Sequence, residues 1–291
     1  PQMHIGGHLG LLHLDREDTD LKQCIARLSG ASLADCHLDI SMRDTTIVDT
    51  TESAPLPWTI LVERIDISNA SIAFRMAGDT MTVSTEIKKA CLSGGDISLR
   101  NGVYTIGSLG IDLDTLHLCM MDTAGAKTSI PLSCTSLGAE GLRLDSTAVA
   151  LQQFHISTAT NEGEKKSIIR GNLHMDFNAF TPKGGGNLST NIRASLEHTD
   201  LLGIARDFIP KDLAKAYPTL PLNAHIAARG NIDSISVDTL HLSMPSAIDI
   251  QAEGYVADAM AEGGMRSHLQ WDASTMNLNF VRRYMGLSGV N

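Results

Sequence analysis

The histidines near the start of the chain are the first side chains that could do chemistry. His4, His8 and His13 cluster there, and His4 and His8 would share one face of a helix, which is a spacing that metal ligands use. The segment is rich in glycine and alternates apolar with polar residues, and this pattern favours a strand with solvent-facing histidines. The sequence therefore predicts no metal site.

Carboxylates and glycine-rich loops are the next candidates, because they serve acid–base chemistry and phosphate binding. Asp66, Asp112, Asp114 and Asp145 fall at polar positions of strands or in turns, where solvation accounts for them. The KGGG run at 183–186 is not followed by the Lys-Ser/Thr pair of a phosphate-binding loop. Nucleophile-elbow, Walker A, dinucleotide, zinc-protease and EF-hand motifs are absent from the sequence. We therefore expect no enzyme activity, no catalytic residue and no cofactor.

The cysteines form no CxxC pair and lack zinc-finger spacing. Cys24 and Cys36 lie twelve positions apart, and a disulfide between them is left open. Cys119, within LHLCM, is expected to be a small buried side chain. The five cysteines are Cys24, Cys36, Cys91, Cys119 and Cys134.

Composition and charge narrow the class of partner. Apolar residues make up 43% of the 291 residues, which excludes disorder as the main state. Aromatics are only 4%, so aliphatic residues and 12 Met carry the apolar content. The net charge of −10 argues against nucleic acid and against docking on anionic membranes. The sequence contains no apolar run of about 18 residues that could span a bilayer.

The elements that position these residues follow a period of two, which predicts half-buried strands. Turn-prone breaks such as 68–71 and 93–96 separate the alternating runs, and Asn101-Gly102 is the strongest hairpin signal. We predict an all-β chain of antiparallel strands of about five to nine residues. The alternating sets are Ile60 and Val62; Ile65 and Ile67; Ile72, Phe74 and Met76; Ile97 and Leu99; Val103 and Ile106; Leu109, Ile111 and Leu113; Leu116 and Leu118; Leu142 and Leu144; Leu173, Met175 and Phe177; Ile248 and Ile250; and Met276, Leu278 and Phe280.

An internal repeat relates 111–120 (IDLDTLHLCM) to 235–244 (ISVDTLHLSM), with seven of ten positions identical. In both copies the alternation changes phase at Asp-Thr, at Asp114 and at Asp238. Such a slip sends later side chains to the other face unless a bulge or turn absorbs it. We expect repeated supersecondary units, although convergence of two short β-sequences is the alternative. His117 and His241, each between two leucines, are expected on the outer face.

One stretch has helical spacing. The segment from Asp200 to Phe208 follows a Thr199/Asp200 cap, and Pro210 ends it. Two roles for this helical segment remain as alternatives: a cap on the end of a sheet, or an ordinary connector that packs on the sheet.

A sheet with one apolar face must bury that face against another sheet, a helix layer or a ligand. A β-sandwich of this size would usually contain aromatic residues in its core, and this sequence has few. A single helical stretch cannot cover so many strands. We therefore predict an elongated, curled antiparallel sheet, a β-taco whose concave face is hydrophobic and suited to flexible acyl chains. The predicted groove residues are Ile65, Ile67, Ile72, Phe74, Ile97, Leu99, Leu109, Ile111, Leu113, Leu173, Met175, Phe177, Ile248 and Ile250.

Three segments resemble TamB-like translocation and assembly module proteins of the AsmA-like, bridge-like lipid transfer group, notably those of Bacteroidota. The first, 58–74 (WTILVERIDISNASIAF), is similar to the opening element of those chains. The others, 97–113 and 222–240, are similar to later elements, and the resemblance covers most of residues 57–291.

The resemblance implies a periplasmic β-groove segment of a longer protein that is anchored in the inner membrane. Such proteins are linked to phospholipid movement to the outer membrane and, with an Omp85-type partner, to outer-membrane protein assembly. The acyl chains would bind the groove, and the Omp85-type protein would bind a region outside this segment. The resemblance brings no catalytic motif and no metal or cofactor.

Four segments are expected: an N-terminal β segment at 1–57, a β-groove unit at 58–197, a helical cap or connector at 198–220, and a further β-groove unit at 221–291. The alternative function is a surface adhesin or assembly scaffold of β-sandwiches without lipid transport. A β-helical polysaccharide enzyme is a third reading, but no acidic triads recur at coil spacing. Replacing Ile111, Leu113, Ile248 or Ile250 with Asp should block lipid passage while the fold survives.

Overall fold

The computed structural model of the chain describes residues 2–43, 56–76, 81–121, 127–159, 166–181, 185–204, 219–245, 247–258 and 265–275. The chain divides into two compact units. Unit 1 comprises Pro1–Ser146 and Thr158–Gly163, and unit 2 comprises Thr147–Ser157 and Glu164–Asn291. Nearly all the described residues lie in β-strands, with one α-helix and one short 3-10 helix among them. The prediction of an all-β, mainly antiparallel fold with one short helix is confirmed.

Unit 1 is a sheet in the order β1-β3-β4-β5-β6-β7, in which β2 also pairs with β3. β3 and β4 run parallel, which departs from the predicted antiparallel pairing. Residues 44–58 connect the two strands. Parallel neighbours require such a long connection, whereas antiparallel neighbours do not. The pairings of β1 with β3, β2 with β3, β4 with β5, β5 with β6 and β6 with β7 are antiparallel. The strands are β1 (Gln2–His8), β2 (Leu11–Asp20), β3 (Ile25–Arg43), β4 (Thr59–Arg75), β5 (Met81–Ser98), β6 (Val103–Met121) and β7 (Lys127–Leu144).

The strands from β3 to β7 are 17 to 19 residues long, about twice the predicted length. The predicted turns at 68–71 and 93–96 were wrong, because both lie inside strands. Asn69 (φ 52°) and Gly94 (φ 65°) adopt left-handed backbone there, which changes the phase of the strand without ending its pairing. The Asn101-Gly102 hairpin is confirmed: Ser98 pairs with Val103, and Gly102 has φ 60°.

Interruptions of the alternation lie side by side in unit 1. The pairing of β3 with β4 passes over Asp35 and Asn69, and the pairing of β4 with β5 passes over Asn69 and Lys88. Between β5 and β6 the register shifts around Ile87, next to Asp114. The predicted phase slip at Asp114 is thus confirmed, and its neighbours share it. We call Asp35, Asn69, Lys88 and Asp114 the slip row.

Unit 2 is a sheet in the order β8-β9-β10-β11-β12-β13-β14, and its strands from β9 to β14 pair antiparallel. β12 carries one extra residue, Asp238, relative to both neighbours, so the predicted slip there is confirmed as a β-bulge. The strands are β8 (Ala148–Ala159), β9 (Ser167–Asp176), β10 (Leu188–Leu196), β11 (Leu222–Asn231), β12 (Ser234–Met244), β13 (Ile248–Ala257) and β14 (Arg266–Thr275).

Helix α1 (His198–Ile204) begins before the predicted cap. Asp200 is buried and accepts a hydrogen bond from Ser167 Oγ at 2.5 Å, and Ser167 Oγ accepts one from the Glu197 backbone N–H at 2.8 Å. The side chain predicted as a cap therefore ties the start of the helix to β9. Residues 205–218, which include the rest of the predicted helix, lie outside the described ranges.

The possible disulfide between Cys24 and Cys36 does not form, because Cys24 precedes β3 and Cys36 lies within it. Twelve residues of extended strand separate their Cα atoms by roughly 40 Å, far beyond disulfide reach. Cys119 is half-buried in β6. No helix in the described part of the chain is long and apolar enough to cross a membrane.

Candidate functional site

One face of the unit 1 sheet is formed by apolar side chains in rows across the strands. Directly paired residues point to the same face: Ile67 pairs with Ala90, and Ala90 with Ile111. Parallel rows lie on either side of this one. We define the unit 1 apolar face as Ile60, Val62, Ile65, Ile67, Ile72, Phe74, Val83, Ile87, Ala90, Leu92, Ile97, Ile106, Leu109, Ile111, Leu113, Leu116, Leu118 and Leu137.

The slip row keeps the apolar side chains before and after it on the same face. In a regular strand, Leu113 and Leu116 would point to opposite sides because three positions separate them. Here both pack in one cluster with Ile87, and Ala90 and Ile111 belong to the same cluster. The change of phase at Asp114 therefore keeps Leu113 and Leu116 on the same face of β6, and a second change of phase at Gly107 does the same for Ile106 and Leu109.

Few of these side chains are fully buried. Ile87 is 7% exposed and Leu113 5% exposed, whereas Ile67, Ile72 and Ile111 around them are only half-buried. The described part of unit 1 contains no second sheet and no helix to cover the face. A single layer can bury a centre this well only if the sheet curls around it, so unit 1 presents a curled apolar surface that solvent reaches.

The opposite face of unit 1 is polar and carries several ion pairs. The Arg64 guanidinium donates to both carboxylate oxygens of Asp66, at 2.6 and 2.8 Å. These hydrogen bonds hold the pKa of Asp66 below its ordinary value and raise that of Arg64. Lys88 Nζ lies 2.8 Å from Asp114 Oδ1, within the slip row. Water therefore solvates the polar face of unit 1 well and the unit 1 apolar face poorly.

Unit 2 has a similar apolar face across β9 to β13. Ile250 pairs with Leu242, and Leu242 with Ala224. Ile248 pairs with Met244, which is 1% exposed. We define the unit 2 apolar face as Ile169, Leu173, Met175, Leu188, Ile192, Ile226, Ile235, Val237, Leu240, Leu242, Met244, Ile248 and Ile250.

Twelve of the fourteen predicted groove residues lie on these two faces. Of the other two, Leu99 lies in the turn after β5. Phe177 is placed differently from the prediction, since β9 ends at Asp176 and Phe177 begins the 3-10 helix Phe177–Phe180, 42% exposed. The twelve are Ile65, Ile67, Ile72, Phe74, Ile97, Leu109, Ile111, Leu113, Leu173, Met175, Ile248 and Ile250.

The sequence reasoning missed the centre of the unit 1 cluster, Ile87 and Ala90. These residues are three positions apart, so they break the period of two. The signal that could have found them is a phase slip at Lys88, of the same kind as the one seen at Asp114: Val83 and Ile87 alternate before it, and Ala90 and Leu92 after it.

The repeated histidines lie away from the apolar faces, as predicted. His117 is exposed between Leu116 and Leu118. His241 Nε2 lies 3.0 Å from Asp249 Oδ2, and this hydrogen bond lowers the pKa of Asp249. Among the described residues, no group of three or more His, Cys, Asp or Glu side chains has the geometry to hold a metal ion.

Comparisons of this chain with protein-family models, with curated proteins and with solved structures find no match. The resemblance of residues 58–74, 97–113 and 222–240 to TamB-like chains therefore stays a prediction.

Proposed function

We propose that the two apolar faces bind phospholipid acyl chains, and that the chain is a periplasmic segment of a bridge-like protein that moves phospholipid between the inner and outer membranes. The observation that carries the proposal is the unit 1 apolar face, which is continuous, aliphatic and partly open to solvent. Monomeric proteins rarely leave such a surface uncovered unless something binds it.

The chemistry of the face suits acyl chains. Its members are Ile, Leu, Val and Ala apart from Phe74, and Tyr104, which pairs with Ile97, is a second aromatic side chain on the same side. Contact with an alkyl chain would stabilise the complex by about 25 cal/mol for each Å² of apolar surface removed from water. The register also places Thr85, which pairs with Ile72, on this side of the sheet. No charged side chain is paired with a member of the face, so binding would distinguish acyl chains from water rather than one head group from another.

The wider role rests on the family resemblance. In this role, the parent protein is anchored in the inner membrane and supports outer-membrane biogenesis. It binds an Omp85-type partner through a region outside this segment. The role needs no catalytic residue, metal or cofactor.

The test compares two substitutions on the same strand. Ile111→Asp places a charge at a half-buried position of the unit 1 apolar face, whereas His117→Asp places the same charge on the exposed opposite face. Leu113→Asp is unsuitable, because that side chain is buried and an unpaired charge there would unfold the unit. Leu113→Asp is therefore expected to unfold the unit, whereas the sequence alone predicts that the fold survives it.

We expect the wild-type chain and His117→Asp to carry co-purifying phospholipid, measured by mass spectrometry of solvent extracts, and Ile111→Asp to carry much less. Ile250→Asp repeats the test in unit 2, with Gln251→Asp as its control on the other face of β13. Equal lipid in Ile111→Asp and His117→Asp would refute the proposal. A lipid-free wild-type chain with a dry, sealed core would favour the sandwich scaffold instead.

A further inference from the structure

The polar face of unit 2 carries two arginines that face each other across neighbouring strands. Arg170 in β9 and Arg193 in β10 are a directly opposed pair, and both are exposed. They lie on the opposite side from the unit 2 apolar face, since Ile169 and Ala194 form the adjacent pair. Like charges directly opposite each other destabilise a sheet. The arrangement therefore lowers the stability of the sheet unless an anion neutralises the charges.

Neither arginine has an ion-pair partner among the residues that the structure describes. Every other strand arginine whose side chain is described contacts a carboxylate. These pairs are Arg27–Asp18, Arg64–Asp66, Arg75–Asp39, Arg143–Asp145, Arg229–Asp238 and Arg266–Asp258, at 2.5 to 3.6 Å. The opposed pair is thus the exception among the strand arginines whose side chains the structure describes.

The surroundings of the pair are also poor in negative charge. Strands β8 to β11 contain one carboxylate, Asp176, and His174 already contacts it at 3.3 Å. This contrasts with a whole chain of net charge −10. A local excess of positive charge of this kind attracts anions.

Neutral hydrogen-bonding groups border the pair. Asn172 and Asn191 form the next opposed pair on the same face. His225 in β11 is paired with Arg193, and its Nε2 lies 3.1 Å from Asn191 Oδ1. The face thus presents two guanidinium forks with amide groups beside them.

We propose that Arg170 and Arg193 together bind the phosphate group of a ligand. The Cβ atoms of directly opposed residues are about 5 Å apart, so both guanidinium groups can reach one anion. A carboxylate has two oxygens, which one guanidinium group can bind in a bidentate contact. A phosphate has enough oxygens to accept hydrogen bonds from two guanidinium groups. The pair therefore fits a phosphate better than an acidic side chain of a protein. The site is independent of acyl-chain binding, because it lies on the other face of the sheet.

The experiment measures binding to the intact chain of two probes that separate the sources of phosphate. One probe is inorganic phosphate, titrated at constant ionic strength against chloride and followed by the arginine Nε–Hε signals in NMR. The other is vesicles of phosphatidylcholine with or without phosphatidic acid, followed by co-sedimentation. The variants are Arg193→Gln, Arg193→Lys and Arg100→Gln. Arg100 is the matched control, since it is exposed and lacks an ion pair among the described residues.

We expect saturable binding of at least one probe, weakened roughly ten- to hundredfold in Arg193→Gln, as for loss of a charge-assisted contact. Arg193→Lys should recover part of the affinity, and Arg100→Gln should bind like the wild type. Binding of inorganic phosphate identifies a soluble phosphate, and binding of phosphatidic acid vesicles alone identifies a lipid head group. Without phosphate, Arg193→Gln should be at least as stable as the wild type, because the opposed charges are gone.

Two results would overturn the proposal. One is the absence of saturable binding of either probe to the wild-type chain. The other is an equal loss of binding in Arg193→Gln and Arg100→Gln, which would show that only overall charge matters.

Discussion

The two copies of the repeat accommodate the same change of strand phase in different ways. Asp114 in β6 and Asp238 in β12 each mark a change of phase before Thr-Leu-His-Leu. In unit 1 the neighbouring strands change phase at the same level, along the slip row. In unit 2 the change is confined to β12, where Asp238 is an extra residue opposite regular strands. The motif determines where its own strand changes phase. The neighbouring strands determine whether that change is shared across the sheet or forms an isolated β-bulge.

Deletion of the two aspartates separates these cases most sharply. Removing Asp238 leaves Val237 and Leu240 two positions apart and the register of β12 regular on both sides. We expect a loss of unfolding free energy of at most about 1 kcal/mol, including the exposed ion pair with Arg229. Removing Asp114 leaves its neighbours with unmatched residues, so the loss should reach about 4–5 kcal/mol. Urea denaturation of both variants measures this; equal losses would contradict the shared slip row.

Truncation of the buried centre of unit 1 gives the next largest effect. Leu113→Ala should lower the free energy of unfolding by about 2–5 kcal/mol, because it leaves a cavity beside Ile87 and Ala90. Leu109→Ala on the same strand and face should cost clearly less, since Leu109 is only half-buried. Chemical denaturation provides the measurement. A larger loss for Leu109→Ala would mean that the cluster is not centred where we place it.

Backbone strain within the long strands produces a smaller effect. Gly94 has φ 65°, and its added Cβ would come within 3.4 Å of Gly107 Cα. Gly94→Ala should therefore destabilise the chain by about 1–2 kcal/mol. Gly110→Ala is the control, because open space surrounds that position. Thermal unfolding compares them, and a neutral Gly94→Ala would argue against a left-handed residue inside β5.

The pH dependence of one surface pair is the smallest expected effect. The Asp66 pKa lies below its ordinary value because Arg64 hydrogen-bonds to the carboxylate. The pair therefore contributes stability above the ordinary carboxyl pKa, and this contribution is lost as the pH falls through the lowered pKa. In Arg64→Gln the pKa of Asp66 should rise towards its ordinary value. NMR titration of the Asp66 carboxyl checks this, and an unchanged pKa would show that the contact is absent in solution.

The period of two predicted the all-β class and most members of the apolar faces, because side-chain alternation is a local property of a strand. The Asn101-Gly102 hairpin and the slips at Asp114 and Asp238 were also visible in the sequence. Strand length was not, since a left-handed residue such as Asn69 looks the same in a turn and in a strand. The parallel pairing of β3 with β4 depends on contacts between distant residues, which no local pattern encodes. The opposed Arg170 and Arg193 likewise became visible only through the register of β9 with β10.

The central claim is that acyl chains bind the unit 1 apolar face, and site-specific photocrosslinking tests it most directly. A photoreactive amino acid would replace Ile111, or His117 on the opposite face of the same strand, and the chain would be illuminated in the cells that produce it. The account predicts phospholipid adducts at Ile111, detected by mass spectrometry, and none above background at His117. Crosslinks from Ile111 only to other residues of this chain, with no lipid adduct, would contradict it.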